Sequence, residues 1–224
     1  NSVLDSTSNS NNGTDNGTTD ATGKFAKGRE FNGTSGYVST TSTDLKTAND
    51  FTISLWFKAD ATNFAHHLIW QGESDGNGWG SQNEMHLTLG NRNSGNNYDN
   101  RLAFFLGYRE ASAGNPLNIS YGFSDTGSWH HAAVVVSSMS GAPAATLYVD
   151  GVERGADTST TGETARGDWN TGFRLGRPAA AERRFDGKMD EVRIATTNRS
   201  VGWIQTEDNN QSSPSTFYAL GAEE

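Results

Sequence analysis

The sequence predicts an all-β protein, a sandwich of two antiparallel sheets, from three observations. Its apolar residues fall in short runs that are rich in β-branched and aromatic side chains and bounded by Gly, Asn, Asp or Ser, as in strands separated by turns. Asp150-Gly151 directly follows one such run and is a strong hairpin signal. Helical periodicity is nearly absent, and one short helical turn is expected at residues 200–206.

The strands are expected at short intervals along the whole chain. Val3-Leu4 predicts a short strand that enters a long polar loop, residues 5–24, packed on the domain. The further strands are expected at residues 37–39, 51–57, 67–70, 85–89, 101–106, 130–136, 145–149, 173–176 and 189–194. Because no proline-rich divide and no internal repeat interrupts this series, we expect a single domain over residues 1–224.

Length and composition exclude several classes of protein. Hydrophobic residues make up 33% of the 224 positions, which suffices because a two-sided sheet needs an apolar residue only at every second place. The net charge of −9 argues against a nucleic-acid partner, and no run of about 18 apolar residues is available for membrane insertion. The absence of cysteine excludes disulfides and thiolate metal sites. The acidic composition, rich in Asn, Ser, Thr and Gly, is typical of a secreted or cell-surface bacterial protein; a signal peptide is not visible, as expected of a mature or excised domain.

Residues 73–84, with the sequence E-S-D-G-N-G-W-G-S-Q-N-E, predict a calcium-binding loop between two strands. Oxygen-bearing side chains at the first, third, fifth and twelfth places, with glycine at the sixth, follow the ligand order of such loops. The predicted ligands are the side chains of Glu73, Asp75, Asn77 and Glu84 and the carbonyl of Trp79, whose ring would then point outward beside the metal. The alternative is a polar, glycine-rich surface loop that holds no metal.

Three stretches together carry a family resemblance. They are F-N-G-T-S-G-Y-V with D-F-T-I-S-L-W-F-K (residues 31–38 and 50–58), G-S-W-H-H-A-A-V with L-Y-V-D-G (127–134 and 147–151), and F-D-G-K-M-D-E-V-R-I (185–194). In order and spacing the set resembles the laminin-G-like domains of the concanavalin A-like lectin/glucanase class, over residues 3–210 or so. The resemblance implies a jelly roll of two antiparallel sheets. It leaves the function open, because this fold hosts lectins, adhesion modules, glycanases and lyases.

The same resemblance implies a second calcium site that joins the two ends of the chain. The loop D-S-T-S-N-S-N-N-G-T at residues 5–14 is similar to an N-terminal loop that, in these domains, lies near the strand carrying Asp190. The implied ligands are Asp5, the backbone carbonyls around Asn9, Asn11 and Gly13, and Asp190. Strand alternation places Asp190 on the face of Val192 and Ile194, hence inward, where a carboxylate is costly unless it is paired or metal-bound. The alternative is that Asp190 pairs with Arg193 or with a backbone amide.

These features predict a noncatalytic, calcium-dependent module that binds carbohydrate, either at a cell surface or within a larger secreted enzyme. Aromatic rings stack on the apolar face of a sugar, while amides, carboxylates and calcium engage its hydroxyls. The candidate sugar-binding residues, whose aromatic members are expected to be exposed, are Trp79, Asn97, Tyr98, Asp99, Tyr108, Tyr121 and Trp169. The alternative partner is a protein or peptide bound by the same loops.

An enzyme is the third alternative. A glucanase of this fold needs the pattern E-x-D-x-x-E, with two carboxyl groups about 5–5.5 Å apart, and this pattern is absent. Glu84 and His86, two apart on an expected strand and thus on one face, are the remaining acid–base candidates for a glycanase or lyase. Packing in the core or at strand edges is expected for Trp56, Phe57, Trp70 and Trp129. Of His130 and His131, one is expected to face inward and the other solvent.

Overall fold

The computed structural model describes residues 2–62, 65–72, 84–92, 98–107, 117–159, 169–178 and 183–213, and it confirms the all-β fold. In chain order the elements are β1 Ser2–Val3, β2 Gly13–Asn16, β3 Thr19–Thr22, β4 Lys27–Asn32, β5 Tyr37–Ser39, β6 Phe51–Ala59, β7 His66–Gly72, β8 Glu84–Arg92, β9 Tyr98–Leu106, β10 Leu117–Gly122, β11 His130–Ser137, β12 Ala144–Val149, β13 Val152–Thr158, β14 Arg174–Leu175, β15 Asp186–Ala195 and α1 Val201–Ser212. Within these described ranges, no helix has the length and apolarity needed to cross a membrane.

The strands form two antiparallel sheets, as expected of a sandwich. The eight-stranded sheet has the order β1-β2-β5-β14-β7-β8-β9-β10, and the seven-stranded sheet has the order β13-β12-β11-β6-β15-β4-β3. The central strand β6 pairs with β11 on one side and with β15 on the other.

The hydrophobic core lies between the two sheets. Along β6, Ile53, Leu55 and Phe57 point into it and are fully buried, as are Met85 and Leu87 on β8. Full burial of one such side chain contributes about 1.5–3 kcal/mol, so alternate positions of each strand supply the driving force. The expected burial of Trp56, Phe57 and Trp70 is confirmed, and Trp129 is half-buried.

The predicted hairpin at Asp150-Gly151 is confirmed. Val149 of β12 pairs with Val152 of β13, so the two residues between them form the whole loop. Asp150 has φ 52° and Gly151 has φ 69°. Positive φ at both central positions is the signature of a type I′ turn, whose twist matches that of the flanking strands and which favours Asp-Gly.

Helix α1 covers the outer face of the seven-stranded sheet and is longer than the single turn expected. Ser200 caps its N-terminus by accepting a hydrogen bond from the Trp203 amide at 3.2 Å. Ile204 is fully buried against Ala133 and Tyr148 of the sheet. Strand β6 is therefore buried on both of its faces, which explains why nearly every residue of it lacks solvent contact.

The N-terminal segment is more regular than the loop expected at residues 5–24. It contains β2, which joins the eight-stranded sheet, and β3, which joins the seven-stranded sheet. The expected strand at Val3-Leu4 is observed as β1, although Leu4 lies beyond its end and is 77% exposed. The segment thus contributes strands to both layers of the sandwich.

A β-bulge on β15 overturns the expectation that Asp190 points inward. Asp190 pairs with Trp56, whereas Arg193 pairs with Ser54, so β15 has one residue more than β6 in this stretch. Glu191 is the extra residue and has φ 51°. Asp190 consequently shares the outer face of the sheet with Trp56, while Val192 packs against the core from the other face.

Candidate ligand-binding face

The outer face of the eight-stranded sheet combines aromatic and charged side chains. The register aligns Trp70 of β7, His86 of β8 and Phe105 of β9 across three neighbouring strands, and Arg174 of β14 lies beside Trp70. Side chains at paired positions point to the same side of a sheet. We call this set, together with Glu84, the β7–β9 face.

Glu84 is the buried carboxylate of the β7–β9 face. It has no solvent exposure, and its Oε2 accepts a hydrogen bond from the Trp70 indole nitrogen at 2.9 Å. Its Oε1 lies 3.9 Å from His86 Nδ1. A carboxylate is tolerated at such a position because it has hydrogen-bonding partners there, and in turn it orients the Trp70 ring.

The two histidines on this face are uncharged at neutral pH. Burial lowers the pKa of His86 to about 3, with the positive charge of Arg183 adding to the effect. Burial likewise holds the pKa of His67 well below its usual range, followed by the influence of His86 and Arg183. A general acid or base works best with a pKa near the operating pH, so His86 is poorly tuned for the acid–base role of the enzyme alternative.

Aromatic contacts order the same face. The His86 ring stacks on Phe105, with centroids 5.1 Å apart and planes 17° apart, and meets His67 edge-on at 4.8 Å. The Arg174 guanidinium lies over the Trp70 ring at 5.8 Å. Phe105 itself is half-buried and therefore presents part of its ring outward.

Polar residues accessible to solvent flank Phe105. Asn118 of β10 is its direct partner in the register, and Ser120 follows on the same side of the strand. Both are exposed, and Ser120 accepts a hydrogen bond from Arg101 at 3.0 Å. Between Arg101 and Phe105 on β9 stands Ala103, whose small side chain leaves the aromatic ring as the prominent feature of the surface.

The expected calcium loop lies largely outside the described residues. This holds for Glu73, Asp75, Asn77 and Trp79, and also for the sugar-binding candidates Asn97 and Tyr108. Tyr98 and Asp99 belong to β9, of which the backbone alone is described at these two positions. The calcium ion and the stacking role of Trp79 stay predictions.

The expected exposure of Trp169 is wrong. Its ring is 1% exposed and belongs to the core cluster, so it presents no face to a sugar. Its neighbourhood in the sequence is polar and rich in glycine, which suggested an exposed position. Tyr121 is half-buried against the core, and the Arg154 guanidinium lies 4.8 Å from the centre of its ring.

Asp5 and Asp190 accept hydrogen bonds from backbone amides of different segments of the chain. The Asp5 carboxylate accepts hydrogen bonds from the amides of Thr7 at 2.9 Å and Asn11 at 2.8 Å, and these lower its pKa, that of Thr7 foremost. Asp190 accepts from the Phe25 and Glu191 amides, each at 2.8 Å.

The backbone-amide alternative for Asp190 is therefore the arrangement observed. Of the other implied ligands, the Asn9 amide donates to the Thr7 hydroxyl, the Asn11 side chain donates to Asp44, and Gly13 opens β2. Across the described ranges, no three His, Asp or Glu side chains are grouped so as to hold a metal ion. The calcium shared by Asp5 and Asp190 stays a prediction.

Of the two histidines, His131 is the inward-facing member of the expected pair, whereas His130 is only partly exposed. His131 is 1% exposed and lies beneath α1, with its Nε2 3.5 Å from Glu207 Oε2. His130 is half-buried between two carboxylates, with Nδ1 2.8 Å from Asp150 and Nε2 3.3 Å from Asp125. The hydrogen bond with Asp150 raises the pKa of His130 above its usual value.

Phe105 and Arg174 were not among the residues expected to bind a ligand. The pair Phe104-Phe105 carried a usable signal, because neighbouring residues of a strand point to opposite faces and one of two adjacent rings must leave the core. Arg174 carried no such signal, since its position beside Trp70 depends on a strand pairing more than a hundred residues apart.

Comparison with known proteins places this fold in a family. The Laminin_G_3 family, described as the concanavalin A-like lectin/glucanases superfamily, matches residues 32–205, and the chain belongs to it. The jelly-roll resemblance drawn from the sequence motifs is thereby confirmed. No curated protein matches the chain.

Several solved structures are similar in fold. Domain 4 of AbnA, a GH43 extracellular arabinanase from Geobacillus stearothermophilus solved with arabinotriose, is 22% identical with TM-score 0.65, and the match covers 91% of each chain. The Ruminococcus gnavus IT-sialidase CBM40 bound to α2,3 sialyllactose is 13% identical with TM-score 0.61, covering 81% of this chain and 96% of that one. The binding domain of Paraclostridial Mosquitocidal Protein 1 is 15% identical with TM-score 0.69, covering 94% and 50%.

Proposed function

We propose that this protein is a noncatalytic carbohydrate-binding or adhesion module of a secreted or cell-surface protein, and that calcium supports its binding site. The observation that carries the proposal is the β7–β9 face, where a half-buried Phe105 ring stands among exposed polar side chains and on a layer of ordered aromatic contacts. Two of the similar structures were solved with an oligosaccharide, arabinotriose in one and α2,3 sialyllactose in the other, and this supports a carbohydrate ligand.

The proposed mode of binding follows from the chemistry of this face. A sugar ring stacks its apolar side on Phe105, while its hydroxyls exchange hydrogen bonds with Asn118 and Ser120. The Phe105 ring is held in place by stacking on His86 of the neighbouring strand, so little conformational freedom is lost when the ligand binds. Calcium at the predicted loop of residues 73–84, which joins β7 to β8, would order the adjacent ends of these two strands.

A glycan array, probed with and without a calcium chelator, tests the class of ligand. We expect glycan binding that weakens on chelation, and we expect titration calorimetry to reproduce it with a soluble oligosaccharide from the array. Arabinotriose and α2,3 sialyllactose are useful first probes. Silence on the array and with both probes, combined with binding to a surface protein, would replace the lectin by the peptide- or protein-binding alternative.

Substitution of Phe105 tests the site. Phe105→Leu keeps an apolar side chain but removes the ring, and we expect it to cost about 1 kcal/mol of binding free energy, roughly a fivefold rise in Kd. Val152→Ala, at a half-exposed position on β13 of the other sheet, is the matched control and should bind like the parent. Release of sugar or unsaturated products from polysaccharides, abolished by Glu84→Gln, would instead support the enzyme alternative that uses Glu84 and His86.

A further inference from the structure

A groove runs between α1 and β15 on the outer face of the seven-stranded sheet, away from the β7–β9 face. Its volume is about 350 Å³, at the lower end of the range of small-ligand sites. The lining residues are Arg193, Trp203, Thr206, Glu207, Asn210 and Gln211. The lining therefore combines one aromatic ring with two amides, one hydroxyl and one pair of opposite charges.

The cation that lines the groove, Arg193, is paired within the protein. Arg193 forms ion pairs with both Glu191 and Glu207. Glu207 also accepts a hydrogen bond from the Ser54 hydroxyl at 3.2 Å. Because both of its ion pairs are internal, Arg193 is not free to select an anionic ligand such as a carboxylated or sulfated sugar, and the lining residues suit a neutral ligand.

The uncharged polar groups of the groove supply both donors and acceptors. Gln211 Oε1 accepts a hydrogen bond from the Trp56 indole at 2.5 Å, which fixes the amide so that its nitrogen is left to donate. The Thr206 hydroxyl donates to the Gly202 carbonyl at 2.7 Å and keeps its lone pairs as acceptors. The half-buried Asn210 amide makes no hydrogen bond with the described part of the chain. Sugar hydroxyls, which donate and accept at once, match this mixture.

The aromatic wall of the groove, Trp203, is held by contacts with the sheet and with α1. Trp203 is half-buried and packs against the cluster of Ala133, Tyr148 and Ile204. The Arg199 guanidinium lies over its ring at 4.8 Å. Because α1 is held to the sheet by Ile204 and Glu207, the groove exists before any ligand arrives, which lowers the entropy lost on binding.

We propose that the α1–β15 groove is a second carbohydrate-binding site, one that accepts a neutral sugar unit. The Trp203 ring, beside the Arg199 guanidinium, supplies an apolar wall, and Asn210 and Gln211 supply the hydrogen bonds. The site is independent of the β7–β9 face and lies on the opposite sheet. A domain with both sites engages two sugar units at once, so it cross-links glycan chains or gains avidity on one surface.

Nuclear magnetic resonance of the ¹⁵N-labelled protein tests the groove directly. The probes are arabinotriose and the methyl glycosides of glucose, galactose and mannose, each at about 10 mM so as to saturate a site with a Kd near 1 mM. We expect the Trp203 indole and the Gln211 side-chain amide signals to shift with at least one probe. Asn210→Ala should weaken that titration about fivefold, the loss of one neutral hydrogen bond. Asn209→Ala, at an exposed neighbour outside the lining, should leave it unchanged.

The experiments can refute either of the two proposed sites without refuting the other. Phe105→Leu should leave the Trp203 and Gln211 shifts intact, and Asn210→Ala should leave any response at Phe105 intact. The groove proposal is overturned if none of the probes moves the Trp203 and Gln211 signals, or if Asn210→Ala and Asn209→Ala titrate alike. Shifts in the groove without binding at Phe105 would support the groove and refute the β7–β9 face as a sugar site.

Discussion

Removal of the Glu207 carboxylate gives the sharpest test of how α1 is held on the sheet. Glu207 is 8% exposed, and its side chain contacts Ser54 of β6, His131 of β11 and Arg193 of β15, three neighbouring strands of the seven-stranded sheet. Glu207→Ala would leave three polar groups that face α1 without their common partner. A buried polar group that loses its hydrogen-bonding partner destabilises the fold by its full desolvation free energy.

The magnitude follows from the burial of each contact. The hydrogen bond from Ser54 is buried and involves a charged acceptor, which is worth about 1.5–3 kcal/mol. The Arg193 side chain is 42% exposed, so solvent screening reduces its ion pair to less than about 1 kcal/mol. Together these predict a loss of about 3 kcal/mol for Glu207→Ala, and for a domain of this size a drop in Tm of about 6–12 °C.

Urea and thermal unfolding, followed by tryptophan fluorescence and circular dichroism, measure this loss. Glu191→Gln, which removes the more exposed partner of Arg193, is the matched control and should cost less than about 1 kcal/mol. A Glu207→Ala protein that unfolds within about 0.5 kcal/mol of the parent would refute the reasoning, because a surface substitution has an effect of that size.

The pH dependence of Glu207 supplies a second readout of the same contact. Burial alone would raise its pKa, but hydrogen bonding and charge from His131 and then Arg193 outweigh burial and place the pKa below its usual value of 4.5. Because the folded-state pKa is depressed, the stabilisation is complete above pH 4.5 and is lost as the pH falls through the folded-state value. The difference in unfolding free energy between parent and Glu207→Ala should therefore shrink at acidic pH.

Three further predictions concern other parts of the molecule. The raised pKa of His130 contributes stability below pH 6.5 that is lost as the pH rises through the folded-state value, and Asp150→Asn should flatten this part of a stability–pH curve measured by urea unfolding. Gly176→Ala should cost about 2–4 kcal/mol in the same assay, because Gly176 has φ 86° and an added Cβ would lie 2.3 Å from the buried Phe31 ring; Gly122→Ala, where nothing lies within 4 Å, should be nearly neutral. If a calcium ion binds the folded state at a hundredfold excess over its Kd, it stabilises by about 2.7 kcal/mol, so a chelator should lower Tm by several degrees; an unchanged Tm would contradict the proposed calcium sites.

The core strands could be predicted because the alternation of apolar and polar residues within each short segment already determines which side chains are buried. The run expected at residues 51–57 is observed as β6, Phe51–Ala59, and the run expected at 85–89 is observed as β8, Glu84–Arg92. In both, apolar residues recur at alternate positions and point into the core, as Ile53, Leu55 and Phe57 do in β6 and Met85, Leu87 and Leu89 do in β8. β13, Val152–Thr158, was not expected, because it forms the edge of its sheet and consists mostly of polar, half-exposed residues.

The two candidate binding sites were harder to predict because they depend on contacts between distant parts of the chain. The Glu207 side chain that holds α1 meets Ser54, 153 residues away in the sequence. The inward orientation expected for Asp190 failed at one bulge residue, Glu191, since the period-two rule reverses wherever a strand gains a residue. Trp169 shows that polar neighbours do not determine where a single large ring is buried.

The extent of the sheets sets the smallest fragment that would fold. The family match ends at residue 205, within α1 and before both Glu207 and Gln211. A fragment cut there would uncover Trp56 and His131 on the central strands of the seven-stranded sheet, and one begun at residue 32 would lack β1, β2 and β3 as well. Such a fragment exposes apolar surface and unpaired strand edges, which are templates for aggregation. The folding unit is therefore wider than the matched segment, from β1 through the end of α1.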